Sequence, residues 1–111
     1  AATGVAVNVR AEESAEPGPA ARFALLRIAQ EAIANALRHA QATRIEVVIV
    51  CDAREARLTV SDDGEGIAAV APAGRGLANM RASAEELGGA LTIEPSPPRG
   101  TCVTARFPAR A

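Results

Sequence analysis

Four side chains capable of chemistry lie close together in this chain. They are an acid, Glu31, an amide, Asn35, a guanidinium, Arg38, and the only imidazole, His39. Their positions are i, i+4, i+7 and i+8. On a helix turning about 100° per residue, that spacing brings all four to one face, where they could converge on a ligand. The ordinary alternative is a solvated polar face. Three glycine-bearing sites accompany them. Asp62-Asp63-Gly64-Glu65-Gly66 has the form D-x-G-x-G, Gly74-Arg75-Gly76-Leu77 precedes a helical pattern, and Gly100-Thr101 opens a strand-like run.

Each of these sites has a chemical and a plain reading. Glycines let a backbone approach a ligand closely and adopt positive φ. A carboxylate at a strand end, such as Asp62, can accept a hydrogen bond from an amino group such as the exocyclic amine of adenine. The plain reading is a tight acidic turn; a calcium loop would need more oxygen ligands at regular spacing. At Gly74–Leu77, exposed N–H groups at a helix start favour an anion, and Arg75 adds charge. The plain reading there is a loop ahead of a helix. Neither the P-loop pattern nor G-x-G-x-x-G is present. The Thr101 hydroxyl could join a network with Asp62, or simply reflect β propensity.

The elements that must position these residues follow from periodicity. Gly4–Arg10 alternates Val5, Val7 and Val9 and predicts a half-buried strand. Residues 11–21, with Pro17, Gly18 and Pro19, read as a loop. A central helix is expected over Arg22–Ala40, its core stripe formed by Leu26, Ala29, Ile33, Ala36, Leu37 and Ala40. Ile45–Cys51 predicts a strand covered on both faces or nearly so, and Arg57–Ser61 its antiparallel hairpin partner. Ile67–Ala73 reads as a short loop. Leu77, Met80, Ala84 and Leu87 recur at helical spacing, with Gly88-Gly89 as a stop. Ala90–Glu94 and Gly100–Phe107 predict two closing strands around the Pro95–Arg99 turn. The order strand, helix, strand, strand, helix, strand, strand implies an α+β two-layer sandwich with both helices on one sheet face.

Composition narrows the function classes. At 111 residues the chain is expected to be a single domain, 1–111, cut from something longer. It has 49% hydrophobic residues, with two Phe and no Tyr or Trp, so an aliphatic core is expected and base stacking on aromatics is disfavoured. Twelve basic against thirteen acidic residues, net −1, argue against nucleic acid and anionic membrane as partners. Cys51 and Cys102 lack metal-ligand spacing and are expected as free buried thiols.

Taken together, the motifs resemble a known family. EAIANALRHA resembles the N box of a histidine kinase, DDGEGI its G1 box and GRGLANM its G2 box. GGALTIEPSPPRGTCVTARFP resembles its closing strands. The order and spacing of these stretches are similar to the ATP-binding catalytic domain of two-component sensor kinases, within the GHKL superfamily. GLANMRASAEELGGAL resembles the nitrate/nitrite-sensor subfamily in particular. Two departures stand out: Pro97-Pro98-Arg99 replaces the usual extra glycines before Gly-Thr, and no separate F box is visible.

The resemblance implies a mixed, mostly antiparallel sheet of the Bergerat ATP-binding type. It implies ATP and Mg²⁺ as ligands, with Asn35 on the metal and Glu31 holding or activating a metal-bound water. Arg38 and His39 would lie against phosphates or ribose, and Asp62 would accept from the adenine amine with Thr101 assisting. Gly64, Gly66, Gly74 and Gly76 would admit the nucleotide, beside Arg75. Ile67, Leu77 and Met80 would form apolar walls or plain core. The implied activity is transfer of the γ-phosphoryl group to a histidine on a separate dimerisation domain, with a response regulator downstream and a cytoplasmic location. His39 would be a pocket residue, not the acceptor. An anti-sigma-factor-type serine kinase and a non-catalytic nucleotide-binding domain are the alternatives.

Overall fold

A computed structural model describes residues 4–38, 41–65 and 75–110, and of residues 75 and 76 the backbone. The elements in chain order are β1 (Ala6–Glu13), α1 (Pro19–Arg38), β2 (Arg44–Cys51), β3 (Glu55–Asp62), α2 (Arg75–Glu86), β4 (Ala90–Pro95) and β5 (Thr101–Pro108). That is the expected order. The five strands form one sheet, β1-β2-β3-β5-β4, parallel only between β1 and β2. The fold is α+β, as anticipated.

Strand register sorts the residues by face. Val47 stands opposite Val60, Val60 opposite Val103, and Val103 opposite Ile93. Alternation then places Ile45, Val47, Leu58, Val60, Val103, Ala105, Phe107 and Leu91 on the face that the helices cover, and all are buried. On the other face Val48, Val50, Thr59 and Thr104 are half-exposed, so β2 is buried on one face and partly covered on the other. Cys51 lies on the inner face and Cys102 on the outer; both are free thiols, and Cys102 is only half-buried. Burial pushes the Cys51 thiol up, with Glu13 and Asp52 adding to the shift.

The central helix departs from expectation in two ways. It starts earlier, because Pro19 sits in its first turn, where a missing N–H costs nothing and the fixed φ suits a helix. Gly18 precedes it, accepting from the Arg22 N–H at 2.8 Å and donating to the Ala109 carbonyl at 2.7 Å. Second, the core stripe is Ala21, Ala24, Leu25, Ile28, Ala32, Asn35 and Ala36. Of the described members of the expected stripe only Ala36 is fully buried; Leu26 is 58% exposed and Leu37 46%, and Ala40 lies outside the described residues. The buried face is therefore rotated by roughly one residue's 100° step. Ala24, Ala32 and Ala36 let α1 lie close to its neighbours, while the bulkier Leu26 and Leu37 are left outside. This rotation carries Asn35 off the outer polar face and into the core edge.

α2 keeps its expected pattern, with Met80 and Ala84 buried and Leu77 and Leu87 packed against the core. It ends in a Schellman motif. The Gly89 N–H donates to the Ala84 carbonyl at 2.9 Å and the Gly88 N–H to the Glu85 carbonyl at 3.0 Å, with Gly88 at φ +80°.

Candidate functional site

Direction decides which ends meet. Gly18, just before α1, bonds Ala109, just past β5, so α1 starts at that end of the sheet and runs toward the other. α2 ends where β4 begins, and Ala90 pairs with Arg106 near the end of β5, so α2 runs the opposite way. The C-terminal half of α1, the start of α2, the end of β3 and the start of β5 thus gather at one end of the sheet. That end holds Asn35 and Arg38, the Arg75-Gly76-Leu77 helix start, Asp62 and Thr101.

The last pair between β3 and β5 is Ser61 with Cys102. One step further along the same register, Asp62 and Thr101 lie side by side on the inner face. Gly100, at φ +118°, makes this approach possible, since a Cβ there would overlap the Asp62 carbonyl oxygen. Asp62 is half-buried, and its Oδ1 accepts from the Gly64 N–H at 2.8 Å, closing a turn on itself. Thr101 is 3% exposed, and its hydroxyl has no hydrogen-bond partner among the described residues. A buried hydroxyl without a partner costs about 1–3 kcal/mol, so such a group marks a place where a ligand or water completes the bonding.

The helical residues divide. Asn35 is 5% exposed, beside the core. Glu31 is half-buried and lines a narrow crevice with Asn79, Met80 and Ser83 between the helices. Arg38 is exposed in the last turn of α1. Met80 is plain core, and Leu77 packs against it. His39, Gly66, Ile67 and Gly74, with the loop Ile67–Ala73, lie outside the described residues. Arg75 and Gly76 open α2, as expected of the G-R-G-L stretch.

Four residues at this end, Asp63, Thr43, Arg44 and Arg99, carry no role that the motifs predict. Asp63 Oδ1 accepts from the N–H groups of Thr43 (2.8 Å) and Arg44 (2.9 Å), and Oδ2 from the Thr43 hydroxyl (2.7 Å). The Thr43 hydroxyl bond, followed by the Arg44 and Thr43 N–H groups, holds the Asp63 carboxyl down at about 2. Arg99 Nε donates to the Gly64 carbonyl at 2.9 Å. The doubled Asp of DDG and the arginine in place of a glycine were the available signals. Neither names its partner, because the partners lie 19 to 35 residues away.

The model of the histidine kinase-, DNA gyrase B- and HSP90-like ATPases matches residues 20–111. The sensor histidine kinase MctS of Rhizobium johnstonii is 40% identical over 96 residues, covering 82% of this chain and 21% of MctS. The nitrate/nitrite sensor protein NarX of Escherichia coli is 35% identical over 85 residues, covering 75% of this chain and 14% of NarX. In structure, the ATP-binding domain of PrrB from Mycobacterium tuberculosis superposes with a TM-score of 0.68 at 25% identity, covering 96% of this chain and 82% of that one. The chain belongs to the family of histidine kinase-, DNA gyrase B- and HSP90-like ATPases, and the resemblance to sensor histidine kinases read from its motifs holds. It spans about a fifth or less of the length of these two kinases.

Proposed function

We propose that this chain is the single ATP-binding catalytic domain of a longer sensor histidine kinase. In this reading it binds Mg-ATP and presents the γ-phosphoryl group to a histidine on a separate dimerisation domain, from which a response regulator is charged. The orphaned Thr101 hydroxyl beside the Asp62 carboxylate carries the proposal. Asp62 has one oxygen engaged by Gly64 and the other without a partner among the described residues, and Thr101 is a buried donor and acceptor beside it. An adenine edge offers both kinds of partner.

At the other side of the site, Asn35 is the residue for the metal. An amide oxygen is a hard, neutral ligand, and magnesium usually takes few protein ligands together with phosphate oxygens and water. Glu31, one turn earlier, would hold a water of that shell. The ion would supply charge neutralisation at the transferring phosphoryl group. Arg38 and the start of α2 would supply further positive potential for phosphates; His39, outside the described residues, keeps only the pocket role that the family resemblance implies. No described helix is long and apolar enough to cross a membrane; a cytoplasmic setting for the domain belongs to the same proposal.

Calorimetric titration with ATP, with and without Mg²⁺, tests this. Saturable one-to-one binding is expected. Asn35→Ala should abolish the gain from Mg²⁺ while leaving metal-free ADP binding largely intact. Equal losses with and without the metal would remove Asn35 from the metal role, and no binding by the parent chain would overturn the nucleotide reading.

A further inference from the structure

The turn that carries Asp62 is short and glycine-rich, and so has little stiffness of its own. Yet the direction in which a carboxylate meets a base must be held to a fraction of an ångström for its hydrogen bond to discriminate. The bond from the Gly64 N–H to Asp62 fixes the turn only against itself. β3 lies between β2 and β5 in the sheet, and each neighbour sends a group to the turn. From the β2 side, Thr43 and Arg44 donate three hydrogen bonds to Asp63, and the Asp63 N–H returns one to the Arg44 carbonyl at 3.3 Å. From the β5 side, Arg99 holds the Gly64 carbonyl.

We infer that Asp63 and Arg99 are positioning residues for the nucleotide, a two-sided clamp that aims the Asp62 carboxylate without touching the ligand. The inference rests on the ATP-binding reading of this site. Asp63 has both carboxylate oxygens engaged by Thr43 and Arg44. Arg99 is exposed and spends its Nε on the turn. The grip on Thr43 also reaches α1. The Ala42 N–H bonds the Ala36 carbonyl at 3.1 Å, so the connection held by Asp63 is itself fastened to the helical turn carrying Asn35. The clamp therefore sets the base-side and phosphate-side groups in one frame. Arg99 supplies from a side chain the stiffness of this edge.

The test combines nucleotide titration with hydrogen exchange on the 111-residue chain. Asp63→Ala and Arg99→Ala should each weaken ATP binding by about five- to twentyfold, the range of one or two lost hydrogen bonds. Both should also narrow the preference for ATP over GTP. Asp63→Asn and Arg99→Lys, which keep an acceptor and a donor respectively, should stay within about threefold of the parent. General destabilisation would lower the melting temperature and leave the ATP-to-GTP ratio alone. Folded alanine variants with the parent's affinity and ratio would overturn the clamp. Exchange of the Gly64 amide, measured without nucleotide, should speed up in both alanine variants, and an unchanged rate would overturn it equally. Because this second measurement needs no ligand, a parent chain that binds no ATP would defeat the ATP reading while the exchange rate still decides whether the clamp exists.

Discussion

Two aspartates fasten the two ends of the β2–β3 hairpin, and they do it differently. Asp52 Oδ1 accepts from the N–H groups of Arg54 and Glu55, both at 2.8 Å, two and three residues along the chain. Asp63 makes bonds of the same length to residues 19 and 20 positions away. Both carboxyls fall below their ordinary range, Asp52 mainly through the Glu55 N–H and then that of Arg54. The chemistry is shared, but Asp52 only reverses the chain, whereas Asp63 ties together elements that carry separate parts of a site. The Asp52 end also has a broad open groove of about 740 Å³, lined by Arg54, Gly88, Gly89 and Arg106. The Asp62 end has the orphaned hydroxyl and the directed carboxylate.

Paired substitutions at the two ends can break or sharpen that contrast. The largest effect is expected from glycine. A Cβ on Gly100 would overlap the Asp62 carbonyl oxygen, and one on Gly89 the Arg106 carbonyl oxygen. Gly100→Ala and Gly89→Ala should each cost about 3 kcal/mol or more, seen as a lower midpoint in urea. Only Gly100→Ala should also weaken ATP binding in the fraction that stays folded. If Gly89→Ala weakens it as much, the two ends are not functionally distinct.

Next comes the aspartate pair. Asp62→Asn should reduce ATP affinity ten- to a hundredfold, the equivalent of about 1.5–3 kcal/mol for a charge-assisted bond. Asp52→Asn should leave it within about twofold, because that side chain serves a turn at the far end. Unchanged affinity in Asp62→Asn would displace adenine from this position.

The smallest effect is in acid. The Asp63 carboxyl ionises at about 2 in the folded chain and near 3.9 when unfolded. Its contribution to stability is therefore complete above about pH 4 and drains away as the pH falls toward 2. Asp63→Asn should be less stable than the parent at neutral pH, with a shallower loss over that acid window in urea titrations. Parallel curves for the two proteins would mean that Asp63 is not bonded as described.

Much of this was legible in the sequence. Element order, the hairpins, the α2 stop at Gly88-Gly89 and the placement of Asp62, Arg75 and Thr101 at element ends all follow from local patterns. The helix face did not. With Leu25, Leu26, Ile28, Ile33 and Leu37 spread around α1, hydrophobicity supports more than one stripe. Close packing through Ala24, Ala32 and Ala36 settled the matter, and that depends on what α1 meets. Asn35 is buried for the same reason. The bonds of Asp63 and Arg99 were illegible for a different cause, because a side chain's type states what it can donate or accept but not which distant backbone group will be within reach.

The single parallel pairing has a consequence for how the molecule comes apart. Ala6 stands opposite Arg44, and the whole of α1 lies between them in sequence, whereas β2 reaches β3 through one tight turn. Every residue of β1 is exposed, including Val9 on the helix-side face at 65%. Little buried apolar area holds β1, and a long loop must close before it can pair. β1 is thus the strand that detaches at least cost and docks after the β2–β3–β5 centre has formed. The molecule has a fraying margin on one edge, set apart from the β2–β3–β5 centre.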